Sequence, residues 1–126
     1  MVSQSLNGKG KVKEINEIKD DDIILDIGFE TIAKIKNIID NSNTVLWNGP
    51  AGYYENSNFA NGTKEIIRII TDKTFKDKIF SVAGGGETVA VINKFNKLDS
   101  FTFVSTAGGA FLEFLEGKEL PGIKAL

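Results

Sequence analysis

The chain's pattern predicts an α/β fold built on a parallel β-sheet, and three observations lead there. Short β-branched or aromatic runs alternate with stretches of helical periodicity, in the order β-α-β-α-β-α-β-α. The links between these runs are short, as right-handed crossovers between parallel strands require. Glycine-bearing turns follow the later strand runs: Trp47-Asn48-Gly49-Pro50-Ala51-Gly52, Gly84-Gly85-Gly86-Glu87-Thr88 and Ser105-Thr106-Ala107-Gly108-Gly109-Ala110. The second and third lead directly into a helical pattern, and the first does so after a short loop.

Residues 1–22 read as a polar N-terminal arm or edge segment, with Lys9, Lys11, Lys13 and Lys19 among glycines and asparagines. Residues 23–126 form the α/β unit. Ile23-Ile24-Leu25 is its first strand, ending at Asp26-Ile27-Gly28. Glu30 to Asp40 is helical, with Ile32, Ile35, Ile38 and Ile39 on one face. Asn41-Ser42-Asn43 breaks the pattern before the buried strand Thr44–Trp47. Phe59, Ile66, Ile67 and Ile70 keep helical spacing, although Gly62 weakens the start of that helix by ~1 kcal/mol relative to Ala. Ile79 to Ala83 is a strand and Thr88 to Phe95 a short helix. Phe101 to Val104 is the last strand and Ala110 to Leu115 the last helix, capped by Gly117 with Pro121 beyond it.

Composition narrows the chemistry. The 126 residues suffice for one domain or a piece of one. A formal net charge of −2 with 25% charged residues argues against bulk nucleic-acid binding and against a polybasic membrane patch. No apolar run approaches the ~20 residues that span a bilayer. The Met1-Val2-Ser3-Gln4 start has no apolar signal-peptide core. Cysteine and histidine are absent. This fits a reducing compartment and removes thiol nucleophiles, thiolate and imidazole zinc sites, Ser-His-Asp catalysis and the commonest general base. Carboxylates, lysines, hydroxyls and backbone dipoles remain. Those groups suit the holding and transfer of phosphoryl groups, where positioning and electrostatics dominate.

In a parallel sheet, ligands bind outside the carboxyl ends of the strands, where all three glycine turns fall. A glycine turn opening a helix bares N–H groups at the positive end of the helix dipole, where a phosphate can sit. Gly84-Gly85-Gly86-Glu87-Thr88 is the strongest signal: its glycines allow close backbone approach, and Glu87 could help place Mg²⁺. Its plain alternative is a tight strand-to-helix turn with Glu87 complementing the dipole. It is not a Walker A loop, because no Lys-Ser/Thr pair follows the glycines. The Ser105–Ala110 turn repeats the design, with a small-residue helix–sheet contact as its plain reading. Asn48-Gly49-Pro50 is by itself an ordinary turn signal. Trp47 reads as core sooner than as a base-stacking ring. Glu55, in a polar loop, reads by default as solvated, and Lys118 and Glu119 as surface charges. Tyr53-Tyr54 suits either a hydrophobic anchor or a lip over a ligand.

On these residues the chain closely resembles the C-terminal part of phosphoglycerate kinases. The stretches that carry the resemblance are Leu25–Gly28, Val45–Pro50, Phe59–Thr63, Ala83–Thr88 and Ser105–Pro121, in family order and spacing. Ile24–Gly28, and Ala83 before the triple glycine, look closest to the bacterial form. The resemblance implies a three-layer Rossmann-like parallel sheet, of which this chain is the C-terminal half of the nucleotide lobe. It implies a cytoplasmic, glycolytic enzyme moving a phosphoryl group between 1,3-bisphosphoglycerate and ADP, giving 3-phosphoglycerate and ATP with Mg²⁺. Asn48, Gly49 and Pro50 would line the nucleotide pocket. Glu55 would accept hydrogen bonds from the ribose, which displaces its solvated reading. Gly84, Gly85, Gly86, Glu87 and Thr88 would meet the phosphates, with Glu87 at the metal directly or through water. Gly108 and Gly109 would face the transferring phosphoryl group.

Departures from the family pattern qualify this. Glu87 stands where Asp is usual, Ala107 where Gly is usual, and Tyr53-Tyr54 where a smaller pair is usual. If position 107 needs φ > 0, Ala costs ~1–2 kcal/mol there. The family's N-terminal lobe, with its basic phosphoglycerate site, lies outside this sequence, as does the first half of the nucleotide lobe with its phosphate-binding lysines. The resemblance therefore implies a fragment inactive alone, with the missing remainder of the kinase as its partner and self-association as the consequence of uncovered surface. A non-catalytic nucleotide- or anion-binding module is the alternative. A dehydrogenase-type half is disfavoured by the glycine pattern.

Overall fold

A computed structural model describes residues 1–76 and 78–126. Its centre is a three-stranded parallel sheet of β3 (Thr44–Trp47), β4 (Phe80–Gly84) and β5 (Phe103–Ser105), in that spatial order. A separate antiparallel pair joins β1 (Val2–Ser3) to β2 (Ile23–Ile24). The helices are α1 (Phe29–Asp40), α2 (Asn61–Phe75), α3 (Gly86–Lys94), α4 (Gly109–Leu115) and α5 (Pro121–Lys124).

The α/β alternation from β3 onward follows the sequence pattern, with boundaries moved by a residue or two. Two expectations change. The segment Ile23–Ile24 does not enter the parallel sheet. It pairs with Val2–Ser3, and the Met1 carbonyl accepts the N–H groups of Leu25 at 3.0 Å and Asp26 at 3.3 Å. Its backbone groups are taken by the chain's own start, so the parallel sheet has three strands, not four. Ile38 does not share the buried stripe of α1. Ile32, Ile35 and Ile39 pack toward the core, whereas Ile38 is 65% exposed. The stripe i, i+3, i+7 already fills the contact with α2, and Ile38 lies one step around the helix from it.

The N-terminal segment is tied to this frame. Val2 is buried, and Val2 and Lys11 exchange two backbone hydrogen bonds of 2.8 Å. Lys13 then reaches Asp22 at 2.5 Å.

Register divides the sheet into two faces. Val45, Trp47, Ser81, Ala83 and Val104 point to the helix layer, where Ile66, Ile67, Ile70, Val91 and Ile92 close the core. Trp47 is buried and stacks on Phe101 with ring centroids 6.2 Å apart. Leu46, Phe80, Val82 and Phe103 lie on the opposite face. There Leu46, Phe80 and Phe103 are each about half exposed. Parallel sheets are ordinarily covered on both sides; on this face Phe111 of α4 reaches Gly84, and Leu46, Phe80 and Phe103 stay uncovered.

The ammonium of Lys13 and the backbone N–H of Lys19 both donate to Asp22 and hold its carboxyl below the ordinary value. A depressed folded-state pKa contributes stability that is complete above the unfolded value and is lost as pH falls through the folded one. Acidification below about pH 4 is therefore expected to loosen the β1–β2 pair. Amide exchange at Val2 and Lys11, corrected for intrinsic pH dependence, reads this. Asp22→Asn should remove the acid-dependent step, and an unchanged acid response in that variant would contradict the assignment.

Candidate nucleotide-phosphate site

The register pairs Trp47 with Ala83 and Gly84 with Ser105, so the three glycine turns leave the same edge of the sheet. The first two turns are directly joined. The Gly49 N–H donates to the Thr88 hydroxyl at 2.6 Å, across 39 residues of chain. Thr88 is fully buried, so this latch is shielded from water. Gly49 has φ of 101° and Gly85 has φ of 93°, both in the region that favours glycine. A Cβ at Gly85 would also collide with the Asn48 side-chain oxygen.

One hydroxyl and one carboxylate set the path of the first loop. Thr63, buried near the start of α2, accepts the N–H groups of Ala51 at 3.0 Å and Gly52 at 3.3 Å. Asp26 is 3% exposed and accepts the N–H groups of Ile27 at 2.8 Å and Gly62 at 2.9 Å. Gly62 lies in the first turn of α2, so the carboxylate also meets the positive end of that helix. A Cβ at Gly52 or Gly62 would collide with the Asp26 carboxylate. The helix-weakening glycine of the sequence pattern is thus the residue that admits Asp26, and α2 begins at Asn61 regardless. Sequence reasoning did not single out Asp26 or Thr63 as site-building residues. The available signal was an acid set between apolar Leu25 and Ile27, ahead of two glycines with no turn to explain them both.

α3 begins at Gly86, directly after the φ-positive Gly85. The N–H groups of its first turn have no partner within the helix. Glu87 stands in this turn with an exposed side chain. The third turn has Gly108 at φ 57°, and α4 starts at Gly109. Ala107 donates its N–H to the Ser105 hydroxyl at 3.3 Å. Among the described residues Asn96 is the one non-glycine residue with positive φ, so Ala107 carries no backbone strain. Phe111 of α4 covers Gly84, where a Cβ would strike its ring.

The glycines fall into two groups. Packing or φ requires glycine at 49, 52, 62, 84, 85 and 108. Gly86 and Gly109 are different: their φ values are ordinary, and a Cβ at either meets nothing within 4 Å. Each opens a helix toward open space at the carboxyl edge.

Glu55 is exposed, beside the partly buried Tyr54 that packs on the core. Burial pushes the Tyr54 phenol up, and the charges of Glu55 and Glu87 add to that shift. Tyr54 serves as an anchor of the loop. Among the described residues no group of three or more acidic, His or Cys side chains could cage a metal. Glu87 is the acid carried by the phosphate-type turns themselves.

A parallel sheet with glycine turns and helix N-termini converging at its carboxyl edge defines an α/β protein of the Rossmann-like class. Comparison with known proteins specifies it further. The family model described as phosphoglycerate kinase matches residues 1–118. A phosphoglycerate kinase of Xanthobacter flavus is 47% identical over 120 residues, covering 95% of this chain and 30% of that protein. One from Francisella tularensis subsp. novicida is 48% identical over 122 residues, covering 97% and 30%. The solved phosphoglycerate kinase of Coxiella burnetii superposes with a TM-score of 0.88 at 41% identity, covering 98% of this chain and 31% of that one. That of Pyrococcus horikoshii gives a TM-score of 0.71 at 40% identity, covering 83% and 25%. The chain belongs to the phosphoglycerate kinase family, and it spans about 30% of the length of these curated relatives.

Asp26→Ala would leave the Gly62 N–H buried without an acceptor, at a cost of about 1–3 kcal/mol. Denaturant unfolding should show a loss of that size, and a change below about 0.5 kcal/mol would remove Asp26 from its place as the anchor of the loop.

Proposed function

We propose that this chain supplies half of the nucleotide site of a glycolytic phosphoglycerate kinase, which transfers a phosphoryl group reversibly between 1,3-bisphosphoglycerate and ADP. The observation that carries the reading is the pair Gly86 and Gly109. Neither backbone conformation nor packing within the chain demands glycine there. Close approach of a ligand to the first turns of α3 and α4 accounts for both.

In this reading Asn48, Gly49 and Pro50 line the nucleotide pocket, and Glu55 accepts from the ribose hydroxyls. Gly84 to Thr88 receive the phosphates, and Gly108 and Gly109 face the group in transfer. Magnesium is bound by phosphates, water and one or two carboxylates sooner than by an all-protein cage, and a single acid at Glu87 fits that donor set. When bound, Mg²⁺ neutralises charge shared between phosphate oxygens. The chain's own part is to orient the nucleotide through N–H groups and to hold its phosphates at the helix ends. Transfer is in line, directly from donor to acceptor; the three turns carry no Cys, His, Lys or Arg.

That last fact sets the limit of the fragment. Phosphoryl transfer relies on cations aimed at the developing charge, each worth several orders of magnitude in rate. We place those cations on the part of the kinase outside this chain, and a cytoplasmic setting follows from the glycolytic role. Among the described residues no helix is long and apolar enough to cross a membrane. The exposed sheet face makes the isolated chain self-associate.

The pure 126-residue chain is expected to give no turnover in a coupled assay and to sediment as more than a monomer. Mixing it with the preceding two thirds of the Francisella relative should restore turnover. Turnover by the chain alone at family rates would overturn the fragment reading. Tight Mg-ADP binding by the chain alone, with no activity in the mixture, would favour a non-catalytic binding module, which the latch between the first two turns would suit. Gly86→Ala is expected to keep or raise thermal stability while weakening Mg-ADP binding by about tenfold or more, since a methyl group would stand where the phosphate approaches. Unchanged binding in that variant would remove the phosphate from the start of α3.

A further inference from the structure

We infer that Lys94 is a positioning residue for the ribose end of the nucleotide site, an inference that rests on the reading of Glu55 given above. Lys94 lies at the end of α3, and its ammonium donates to the Tyr54 carbonyl at 3.1 Å. The same ammonium sits over the Tyr54 ring, 5.5 Å from its centroid. One cation thus grips both the backbone and the π-face of a residue 40 positions away.

The other end of α3 holds the same loop. Thr88, in its first turn, accepts the Gly49 N–H. Between the two ends Val91 and Ile92 are fully buried, so α3 is fixed to the core. The loop from Gly49 to Tyr54 is therefore stapled to one rigid helix at both ends. On the ribose side the Tyr53 N–H reaches the Leu25 carbonyl at 2.7 Å and the Asn56 side-chain amide the Leu6 carbonyl at 2.7 Å, while Tyr54 and Asn56 themselves are tied through their N–H groups to the Gly52 and Tyr53 carbonyls at 2.8 and 3.1 Å. Glu55 sits between these bonds, exposed, and its position is set by the backbone of the turn. Glu55 and Lys94 line one cleft with Tyr54 and Phe95. With the Lys94 staple in place, the ribose contact at Glu55 and the phosphate contacts at the start of α3 keep a fixed separation. A lysine at a helix end also complements the dipole, but that role gives no reason to grip Tyr54.

Lys94→Met and Lys94→Arg in the 126-residue chain test this. In Lys94→Met, amide exchange at Asn56 should accelerate about tenfold, the scale of one lost charge-assisted hydrogen bond. Exchange at Val91 and Ile92 should stay unchanged, and Lys94→Arg should restore the original rate at Asn56. An unchanged Asn56 rate, or equal acceleration through α3, overturns the inference. With the remaining kinase segments supplied, Lys94→Met should reduce the preference for ADP over 2′,3′-dideoxy-ADP by about fivefold and leave pyrophosphate binding alone. An equal loss for pyrophosphate also overturns it. If the unsubstituted protein binds ADP and its dideoxy analogue equally, the ribose role of Glu55 fails instead, and the exchange at Asn56 decides for or against Lys94 as the staple.

Discussion

A buried carboxylate fixes where the first loop of the site can run. Asp26 is removed from water at the end of β2 and must be matched by donors, because an unmatched buried charge is far more costly than a lost surface contact. Its donors are the Ile27 N–H and the Gly62 N–H at the start of α2. Satisfying it pulls the beginning of α2 against the β2 end and leaves room only for glycine at positions 52 and 62. The loop leaving β3 must then pass beside Asp26 and against the Thr63 hydroxyl, which takes the Ala51 and Gly52 N–H groups. The path of Asn48 to Gly52 follows from these demands, before any ligand is considered.

The Thr88 hydroxyl extends the same logic to the second turn. A side-chain oxygen inside the sheet's carboxyl edge accepts from Gly49, so the strand end of β3 and the helix start of α3 are held by one short bond. The third turn is linked less directly, through the ladder at Gly84 and Ser105 and the ring of Phe111 on Gly84. The site is thus graded: the first two turns form a closed unit, and the third is an outer wall. Such a gradient suits a phosphate cradle whose outer side is completed from elsewhere, since α4 presents Phe114 and Leu115 to solvent.

Much of this was legible in the sequence, for physical reasons particular to each element. The helix α2 was readable because Ile66, Ile67 and Ile70 make a one-sided stripe that has no other use. The turn at Gly84 to Thr88 was readable because three consecutive glycines mark a strand-to-helix junction, whose left-handed φ falls on Gly85. The partner of Ile23–Ile24 was not readable: two residues carry no register signal, and the competing partner, Val2–Ser3, lies in a polar stretch with little strand character. Four isoleucines in eight positions cannot all fit one stripe, and the sequence does not say that Ile38 is the one left out. Asp26 escaped because an acid at a strand end reads as solvated, and its burial depends on two distant glycines. The resemblance to phosphoglycerate kinases reached farther than periodicity did, since it located the Leu25–Gly28 stretch without explaining it.

On the proposed function, the exposed sheet face and the need for outside cations have one cause. Helices α2 and α3 lie on one side of β3, β4 and β5; on the other, α4 meets Gly84 through Phe111, and Leu46, Phe80 and Phe103 are left half in water. Finishing the burial of those three side chains is worth about 1 kcal/mol each, enough to matter against the stability of a small domain. The same strands carry the glycine turns at their carboxyl ends, so whatever covers the bare face is brought to the edge where the phosphate site opens. In a doubly wound fold the covering elements belong to the other half of the sheet, and their own strand ends face the same crevice. On the proposed function, covering the apolar face and supplying charge to the phosphates are therefore one structural event, driven by hydrophobic burial.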